Sequence, residues 1–382
     1  MQRDHDDPAV AIRIVDAGSP DGPIRVVLSG NLPFVEISGC VERVGGSVEE
    51  THGRLLVSAV PGPLMEALGE RLDRRLSLRL IDSLTEALAS WTEGAPDLML
   101  RDGRLLSTGS RTLIQGVLNV TPDSFSDGGT HLGTDGDLTP AIEAGRALAA
   151  AGADLIDVGG ESTRPGSASV SPEEELARTV PVVQALAEDG IVVSIDTTKA
   201  AVARAAVDAG AAIVNDVSAG SLDEELYPTV AELGVPYVLM HMQGIPRTMQ
   251  QHPTYDDVVG EVYDHLAVEL DRLESAGVAC DQVIVDPGIG FGKTVEHNLS
   301  LLRHLREITS LGRPVLVGAS RKTFIGKLTG VSDPADRLEG SLAVAALAVG
   351  AGARIVRVHD VRETVRVIAV ADAIVHGTME RR

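Results

Sequence analysis

Eight short apolar runs, each followed by a turn and a helix-like stretch, occupy residues 113–377 and constrain the fold more than any other feature. Most are continuously hydrophobic, which is typical of strands covered on both faces. The Ala- and Leu-rich segments between them are long enough for crossover helices, so the strands should be parallel. Eight such units predict a (β/α)8 TIM barrel, whose active site lies at the carboxyl ends of the strands. The runs are LIQGVLNV (113–120), LIDVGG (155–160), VVSIDT (192–197), IVNDVS (213–218), VPYVLMHM (235–242), QVIVDPG (282–288), PVLVGAS (314–320) and RIVRVH (354–359).

The 382 residues exceed the roughly 250 of one such barrel, and the excess lies at the N-terminus. There the segments AIRIV, IRVVLSG and RLLVSAV resemble strands, and LMEALGERL and LIDSLTEALASW resemble helices. We therefore predict a small α+β domain over residues 1–95, followed by the barrel over residues 97–382. The role of the small domain stays open, and packing or dimer support is the simplest one. An Asp-Gly pair within residues 97–112 indicates a hairpin that closes the bottom of the barrel.

Charge, hydropathy and cysteine count exclude several classes of protein. The net charge of −22 opposes binding to nucleic acid or to anionic membranes. No apolar run reaches the about 18 residues of a membrane span, and the start MQRDHDDPAV is unlike a signal peptide. Cys40 and Cys280 fall in different predicted domains, which favours the reducing cytoplasm over a disulfide framework. A phosphorylated substrate would need local cations, and all the lysines lie in or just after βα loops.

Polar residues follow the first two strands. Asn119 ends the first run, and its carbonyl oxygen suits Mg²⁺, which prefers a few protein oxygens together with substrate phosphates. The second run leads into GGESTRPG, where the hydroxyls of Ser162 and Thr163 stand next to Arg164. Because a guanidinium group binds phosphate oxygens in a bidentate manner, these residues predict a diphosphate site.

Strands three, four and six end on Asp196, Asn215 and Asp286. Any one of them could be a structural group satisfied by backbone amides, because a buried carboxylate requires hydrogen-bond donors. Three acceptors that converge from three strands instead predict a ligand rich in N–H donors, such as the guanidine-like edge of a heterocycle. By strand alternation, Asp216 should point away from this ligand.

The later strands supply glycines and cations. The glycines of DPGIGFGKT (286–294) fit neither a Walker loop nor a dinucleotide fingerprint, so we expect a tight bend close to a ligand. Strand seven places Ser320 and Lys322 at the barrel mouth, and strand eight places Arg357 and His359 on one face, where they favour oxyanion binding. His241 is expected to be a packed, hydrogen-bonded core histidine.

Together these segments closely resemble the dihydropteroate synthase family of pterin-binding barrels, from about residue 97 to the C-terminus. That family is usually homodimeric and joins 6-hydroxymethyl-7,8-dihydropterin diphosphate to 4-aminobenzoate with release of diphosphate. The matching segments are GVLNVTPDSFSDGG, DVGGESTRPG, SIDTTKA, NDVSAG, LMHMQGIPRTMQ, DPGIGFGKT, GASRKTFIG and RIVRVHDV. The chain departs from the pattern at Gln115, Gln243 and Ala319, and none of these departures removes a contact implied by the resemblance.

The resemblance implies the roles of individual residues. The pterin would be held by Asp196, Asn215, Asp286 and Lys322, in a pocket lined by Met240, Phe291 and Gly318. The diphosphate would be held by Asn119, Thr163, Arg164, Arg357 and His359, with Mg²⁺ at Asn119. The aminobenzoate would contact Phe125, Thr163, Pro165, Ser320 and Lys322. The catalytic residues would be Arg164, Lys322, Arg357 and His359.

The chemistry of the family implies ionisation of the substrate. Diphosphate departs, the pterin ring delocalises the cationic methylene, and the aromatic amine attacks without a covalent enzyme intermediate. Closed loops would exclude water, which would otherwise capture the cation. Two alternatives stay open: a methyltetrahydrofolate:corrinoid methyltransferase, which would not require the diphosphate residues, and a catalytically silent paralogue that binds pterin or a protein partner.

Overall fold

The structure is a computed structural model that describes residues 10–17, 22–93, 95–121, 137–162 and 169–377. Within these ranges the N-terminal part forms a four-stranded antiparallel sheet in the order β1-β2-β4-β3, packed against helices. The strands are β1 (Val10–Ala17), β2 (Ile24–Gly30), β3 (Ser47–Thr51) and β4 (Arg54–Ala59), and the helices are α1 (Phe34–Arg43), α2 (Pro61–Arg71) and α3 (Arg74–Glu93). This sheet and its helices form the small α+β unit that the sequence predicts, while its boundary at residues 95–97 stays a prediction.

Three strands and two helices of this unit match the segments recognised in the sequence, whereas β3 and α1 do not. The edge strand β3 has the sequence SVEET, and most of its side chains are exposed, so it lacks an apolar alternation. Helix α1 contains Gly39, but its buried Ile37, Cys40 and Val41 have the three- and four-residue spacing of a helix face. That spacing was the signal that could have predicted α1.

Eight parallel strands close the barrel that the sequence predicts. Their order is β12-β11-β10-β9-β8-β7-β14-β13, and a parallel bridge between Val285 and Val315 joins the two ends. The strands are β7 (Leu113–Asn119), β8 (Leu155–Gly159), β9 (Val193–Asp196), β10 (Ile213–Asp216), β11 (Tyr237–Met240), β12 (Val283–Asp286), β13 (Leu316–Val317) and β14 (Ile355–Val358). Each lies within one of the eight apolar runs, so the (β/α)8 TIM barrel is confirmed.

Helices on the outside of the barrel connect these strands. Ser171, Asp257 and Thr294 begin three of the helices by accepting backbone N–H groups of the first turn. Gly277 ends the helix that Asp257 begins, and Gly234 ends another, both in the left-handed conformation. The described helices are α4 (Thr139–Ala150), α5 (Pro172–Glu188), α6 (Ala200–Asp208), α7 (Leu226–Leu233), α8 (Val258–Ala276), α9 (Val295–Arg303), α10 (Leu305–Ile308), α11 (Thr323–Thr329), α12 (Leu338–Gly350) and α13 (Val361–His376).

An apolar cluster closes the bottom of the barrel. A hairpin of β5 (Leu98–Met99) and β6 (Leu105–Leu106) supplies Leu98, Leu100 and Leu106, as predicted. These side chains pack against residues at the start of the barrel strands, namely Leu113, Leu155, Ile213, Val238, Ile284, Leu316 and Ile355. The buried polar groups of the strands therefore lie above this floor, toward the carboxyl ends.

The N-terminal sheet attaches to the outside of the barrel at α8 and α10. Arg13 donates to Glu307 at 2.7 Å, and Arg54 donates to Asp264 at 2.7 Å. Ser29 also donates to Asp264, at 2.6 Å. A buried ion pair and a partly buried one thus join residues of the two parts that lie far apart in the sequence.

Two further features concern the hydropathy of the helices and the state of the two cysteines. In the ranges that the structure describes, no helix combines the length and the apolar character that crossing a membrane takes. Cys40 and Cys280 are both free thiols, and Cys40 is buried in the core of the N-terminal part.

Candidate active site

Strand alternation decides which side chains reach the interior of the barrel. In β8, the inward position after the floor residue Leu155 is Asp157, whereas Ile156 and Val158 pack outward against the helices. The same period of two brings Asn215 inward in β10, two residues after Ile213. Each of these strands therefore contributes an apolar side chain to the floor and a polar side chain above it.

Asp157, Asp196, Asn215 and Arg357 form one hydrogen-bonded group above the floor. Arg357 Nε donates to Asp157 Oδ2 at 2.5 Å, and Arg357 Nη2 donates to Asp196 Oδ2 at 2.6 Å. Asn215 Nδ2 donates to Asp157 Oδ2 at 2.9 Å. The carboxylates of two neighbouring strands thus hold one guanidinium group between them.

Asp286 and Lys322 extend this group toward β12 and the loop after β13. Burial raises the pKa of Asp286, and the nearby charge of Lys322 opposes the rise. Burial lowers the pKa of Lys322 to about 7, and Asp286 opposes that change. Burial also raises the pKa of Asp196, against the charge of Arg357. A ligand that donates N–H groups to these carboxylates would replace the hydrogen bonds to water that they lose by burial.

The loop after β12 approaches the strand ends closely, as its glycines predict. Gly288 has φ 67°, and a Cβ atom there would lie 1.8 Å from the carbonyl oxygen of His241. A Cβ atom on Gly290 would lie 2.7 Å from the Lys322 side chain. The amide of Gly288 also donates to Asp286 Oδ1 at 2.7 Å, which fixes the bend to the end of the strand.

Phe291 and Met240 form an apolar wall beside the charged group. They cluster with Val217 and Met249, and all four side chains are buried. The Lys322 ammonium lies over the Phe291 ring, 4.4 Å from its centroid, and donates to the carbonyl oxygen of Ile289. A flat ring could therefore contact an apolar surface while its polar edge meets Asp286.

The loop after β13 turns sharply at Arg321, a non-glycine residue with φ 58°. Arg321 is held there by Asp360, at 2.5 Å, and by the Ser341 hydroxyl, which accepts its backbone N–H at 2.9 Å. The neighbouring Ser320 lies 3.1 Å from His359 Nδ1. Backbone conformations of this kind cluster at functional sites, where surrounding contacts offset their strain.

The chain belongs to a known family. A family model described as pterin binding enzyme matches residues 115–359. The dihydropteroate synthase of Synechocystis sp. is 46% identical over 271 residues, which cover 71% of this chain and 92% of that protein. This chain is a member of the dihydropteroate synthase family. It is therefore a transferase of folate biosynthesis that makes dihydropteroate, and the methyltransferase alternative is not supported.

Two solved dihydropteroate synthases have the same barrel. One is from Yersinia pestis, in a sulfonamide drug complex, with a TM-score of 0.69 and 44% identity over 73% of this chain and 99% of that chain. The other is from Xanthomonas albilineans, with 4-aminobenzoic acid, with a TM-score of 0.66 and 46% identity over 73% of this chain and 98% of that chain. The family likeness thus covers the barrel.

Most residues predicted from the sequence as dihydropteroate synthase site residues lie at the carboxyl ends of the strands. Asp196 and Arg357 are in direct contact, and Gly318 lies beside both Arg357 and Asp286. Ser320 and His359 contact each other. Asp216 points away, as predicted, and accepts from Tyr237 at 2.6 Å. Asn119 is the last residue of β7, and the remaining predicted residues, Phe125, Thr163, Arg164 and Pro165, lie outside the described residues.

Sequence reasoning missed two polar residues of this dihydropteroate synthase interior, Asp157 and Ser194. Both are fully buried, and Ser194 donates to Asp157 at 2.6 Å. A charged residue in the middle of the run LIDVGG was the available signal, because an isolated acid in a buried strand requires partners. His241 is the expected core histidine: it lies 2.9 Å from the buried Lys293 ammonium, and burial lowers its pKa to about 2.

Proposed function

We propose that the cavity above the barrel floor binds 6-hydroxymethyl-7,8-dihydropterin diphosphate and 4-aminobenzoate, and that the described polar residues divide the reaction between them. One observation carries the proposal: acceptors from three strands lie together with the cations Arg357 and Lys322 above the barrel floor. Acceptors suit the N–H donors of a pterin, and cations suit its diphosphate.

The pterin would lie deepest. Asp196, Asn215 and Asp286 would accept from its N–H groups, and Lys322 would donate to it. Met240, Phe291 and Gly318 would line the pocket. The apolar cluster around Phe291 supports a stacked ring, and Gly318 lies beside Asp286. Deep burial of the carboxylates favours a ligand that can satisfy them without water.

The diphosphate and the aminobenzoate would lie nearer the mouth. The diphosphate would contact Asn119, Thr163, Arg164, Arg357 and His359. The aminobenzoate would contact Phe125, Thr163, Pro165, Ser320 and Lys322, as befits a family in which the Xanthomonas albilineans enzyme was solved with 4-aminobenzoic acid. The contact between Ser320 and His359 supports adjacent sites for the two ligands.

Mg²⁺ fits the residues at the end of β7. A Cβ atom on Gly159 would lie 3.7 Å from both Asn119 Oδ1 and Asp196 Oδ2, so two side-chain oxygens lie beside the same backbone position. Mg²⁺ prefers such hard oxygens and takes its other ligands from water and phosphate. Asn119 would hold the ion, which when bound supplies positive charge to the diphosphate.

The residues of the chain would promote departure of diphosphate and attack by the amine. Arg357, oriented by two carboxylates, would stabilise the negative charge that develops on the leaving group. Arg164, Lys322 and His359 would add positive charge or hydrogen-bond donors nearby. The acceptors would hold the ring so that the cationic methylene faces the amine, which raises the effective concentration of a weak nucleophile.

A second copy of this chain would cover α12 and α13. Helix α12 is apolar around most of its circumference, which is typical of a buried helix, yet Leu347 is 74% exposed. On α13, Val370 and Ile374 stand four residues apart and are 61% and 78% exposed. Light scattering would give twice the mass of the chain for wild type, and Ile374→Glu would give the monomer.

We also assign the protein to the cytoplasm, and its two domains to residues 1–95 and 97–382. The free thiols Cys40 and Cys280 support a reducing compartment. The ion pairs of Arg13 and Arg54 with the barrel support a packing role for the N-terminal domain.

Turnover tests the proposal directly. Purified protein with Mg²⁺, dihydropterin diphosphate and 4-aminobenzoate should release dihydropteroate and diphosphate in equal amounts. Asn215→Ala and Arg357→Ala should both lower kcat/KM strongly, whereas Asp216→Asn, on the other face of β10, should not. Tight pterin binding without turnover would instead favour a silent paralogue.

A further inference from the structure

Asp157 joins three polar side chains above the barrel floor, and none of the roles assigned above belongs to it. It lies in β8 and is fully buried. Its Oδ1 accepts from Ser194, while its Oδ2 accepts from both Asn215 and Arg357. We propose that Asp157 is a positioning residue, which sets the atoms that Asn215 and Arg357 present to the substrate. The inference rests on the proposed function, because that function assigns Asn215 and Arg357 to the substrate.

The contact with Asn215 selects one of two orientations of its amide. An amide has a donor end and an acceptor end, whereas a carboxylate only accepts. Asp157 therefore holds Nδ2 and leaves Oδ1 on the opposite side. Within the described part of the chain, Oδ1 accepts no hydrogen bond. Asn215 thus becomes an acceptor beside Asp196, its partner in the β9–β10 register, and the pocket selects a ligand edge that donates.

The contact with Arg357 fixes the plane of its guanidinium group. Nε is bound by Asp157, and Nη2 is bound by Asp196 of the next strand. Because the two carboxylates lie on different strands, the guanidinium group cannot rotate about either contact alone. Neither carboxylate accepts from Nη1. The remaining donors keep one direction, which preorganises them for the departing diphosphate. Without Asp157, the group would pivot about its contact with Asp196.

Asp157 is itself held from below. Ser194 donates to it at 2.6 Å, and the fully buried Gln115 donates to Ser194 at 2.8 Å. Gln115 is one of the positions where the chain departs from the family pattern, and here it extends the network to β7. A hydrogen-bonded chain across three strands leaves the carboxylate little freedom to follow its partners.

A purely structural role makes a different prediction. If Asp157 only neutralised the charge of Arg357, its loss would lower stability, and its effect on pterin binding would not depend on Asn215. Positioning through Asn215 requires that dependence. The two roles therefore separate in a double-mutant cycle, in which the effect of one substitution is measured with and without the other.

The experiment measures binding of 6-hydroxymethyl-7,8-dihydropterin, which lacks the diphosphate, to wild type, Asp157→Asn, Asn215→Ala and the double variant. Asp157→Asn keeps the volume but can donate as well as accept, so both orientations of Asn215 become available. We expect affinity about 10- to 100-fold lower than wild type, the cost of leaving a buried donor of the ligand without an acceptor. In the Asn215→Ala background the same substitution should change affinity by less than about threefold.

Asp216→Asn is the matched control, because Asp216 is also a fully buried carboxylate on a barrel strand but binds Ser218 and Tyr237 outside the cavity. It should lower the melting temperature and leave pterin affinity unchanged. Wild-type affinity in Asp157→Asn, with Asn215→Ala impaired, overturns this inference alone. Wild-type affinity in Asn215→Ala overturns the proposed function as well.

A crystal structure of wild type with the same pterin keeps the test independent of how the variants fold. The proposal expects Asn215 Nδ2 to stay on Asp157 while Oδ1 accepts from the ligand. An Asn215 amide that has turned away from Asp157 in the complex would overturn it.

Discussion

The two ends of the barrel use the same eight strands for opposite chemistry. At the bottom, Leu155 and Ile213 pack into an apolar floor with the β5–β6 hairpin. Two residues further along the same strands, Asp157 and Asn215 belong to a buried polar group. Inward-facing positions recur every two residues along a strand, so one position can stabilise the floor while the next binds substrate.

The two ends also differ in what burial does to the free energy. Each buried leucine at the floor stabilises the fold by about 1.5–3 kcal/mol. At the top, removing charges from water costs free energy that pairing only partly offsets. We therefore expect the pair of Asp196 and Arg357 to contribute to ligand binding rather than to fold stability. Substitutions of either residue should affect activity more than stability.

Arg357→Ala should have the largest effect. It removes the cation of the polar group and leaves Asp157 and Asp196 without their shared partner. We expect kcat/KM to fall about 10³-fold, or ~4 kcal/mol of transition-state stabilisation. Steady-state kinetics with both substrates measure this, with Arg362→Ala on the exposed face of α13 as control. A fall of less than tenfold would show that β14 does not bind the substrate.

Leu98→Ala should lower stability and leave activity nearly unchanged. Leu98 is fully buried in the floor, so the cavity left behind should lower the free energy of unfolding by about 3 kcal/mol. The kcat/KM of the folded protein should stay within about twofold of wild type. Denaturant titration gives the first value, and Leu105→Ala, at a 54% exposed position of the same hairpin, is the control. Loss of activity in a folded Leu98→Ala protein would show that the floor and the active site are energetically coupled, which contradicts the account.

The pH dependence of kcat/KM should report on the titratable groups at the top of the barrel. Burial lowers the pKa of Lys322 to about 7, so the ammonium loses its proton as the pH rises through that value. The kcat/KM for dihydropterin diphosphate should then fall about tenfold per pH unit on the alkaline side. In Lys322→Arg, whose guanidinium stays charged, this alkaline limb should be absent. The same limb in both proteins would assign it to another group.

The smallest effect is expected away from both ends, where the N-terminal sheet meets α8. Arg54→Ala removes the half-buried pair with Asp264 and should lower the free energy of unfolding by about 1 kcal/mol. Thermal melting measures it, and Arg43→Ala, whose partner Glu70 is half exposed, should change nothing. A loss of kcat/KM in the Arg54 variant would give the N-terminal domain a role in catalysis.

How much the sequence could predict follows from the same comparison. The apolar runs predicted every barrel strand, because strands buried on both faces leave a continuous signal. The strand-end residues Asp196, Asn215 and Asp286 were recognisable because each is a polar residue at the end of such an apolar run. The charge of Asp157 within its apolar run was visible too, but its role was not, since that role depends on Asn215 and Arg357, 58 and 200 residues away in the chain. Contacts of that range arise only when the barrel closes.

Binding of dihydropterin diphosphate to a matched pair of variants, Asn215→Ala and Leu98→Ala, tests the separation of the two ends most directly. Isothermal titration should find the ligand bound by Leu98→Ala as tightly as by wild type, and bound by Asn215→Ala at least about tenfold more weakly. Equal affinity in Asn215→Ala, or weakened binding in a folded Leu98→Ala, would contradict the account.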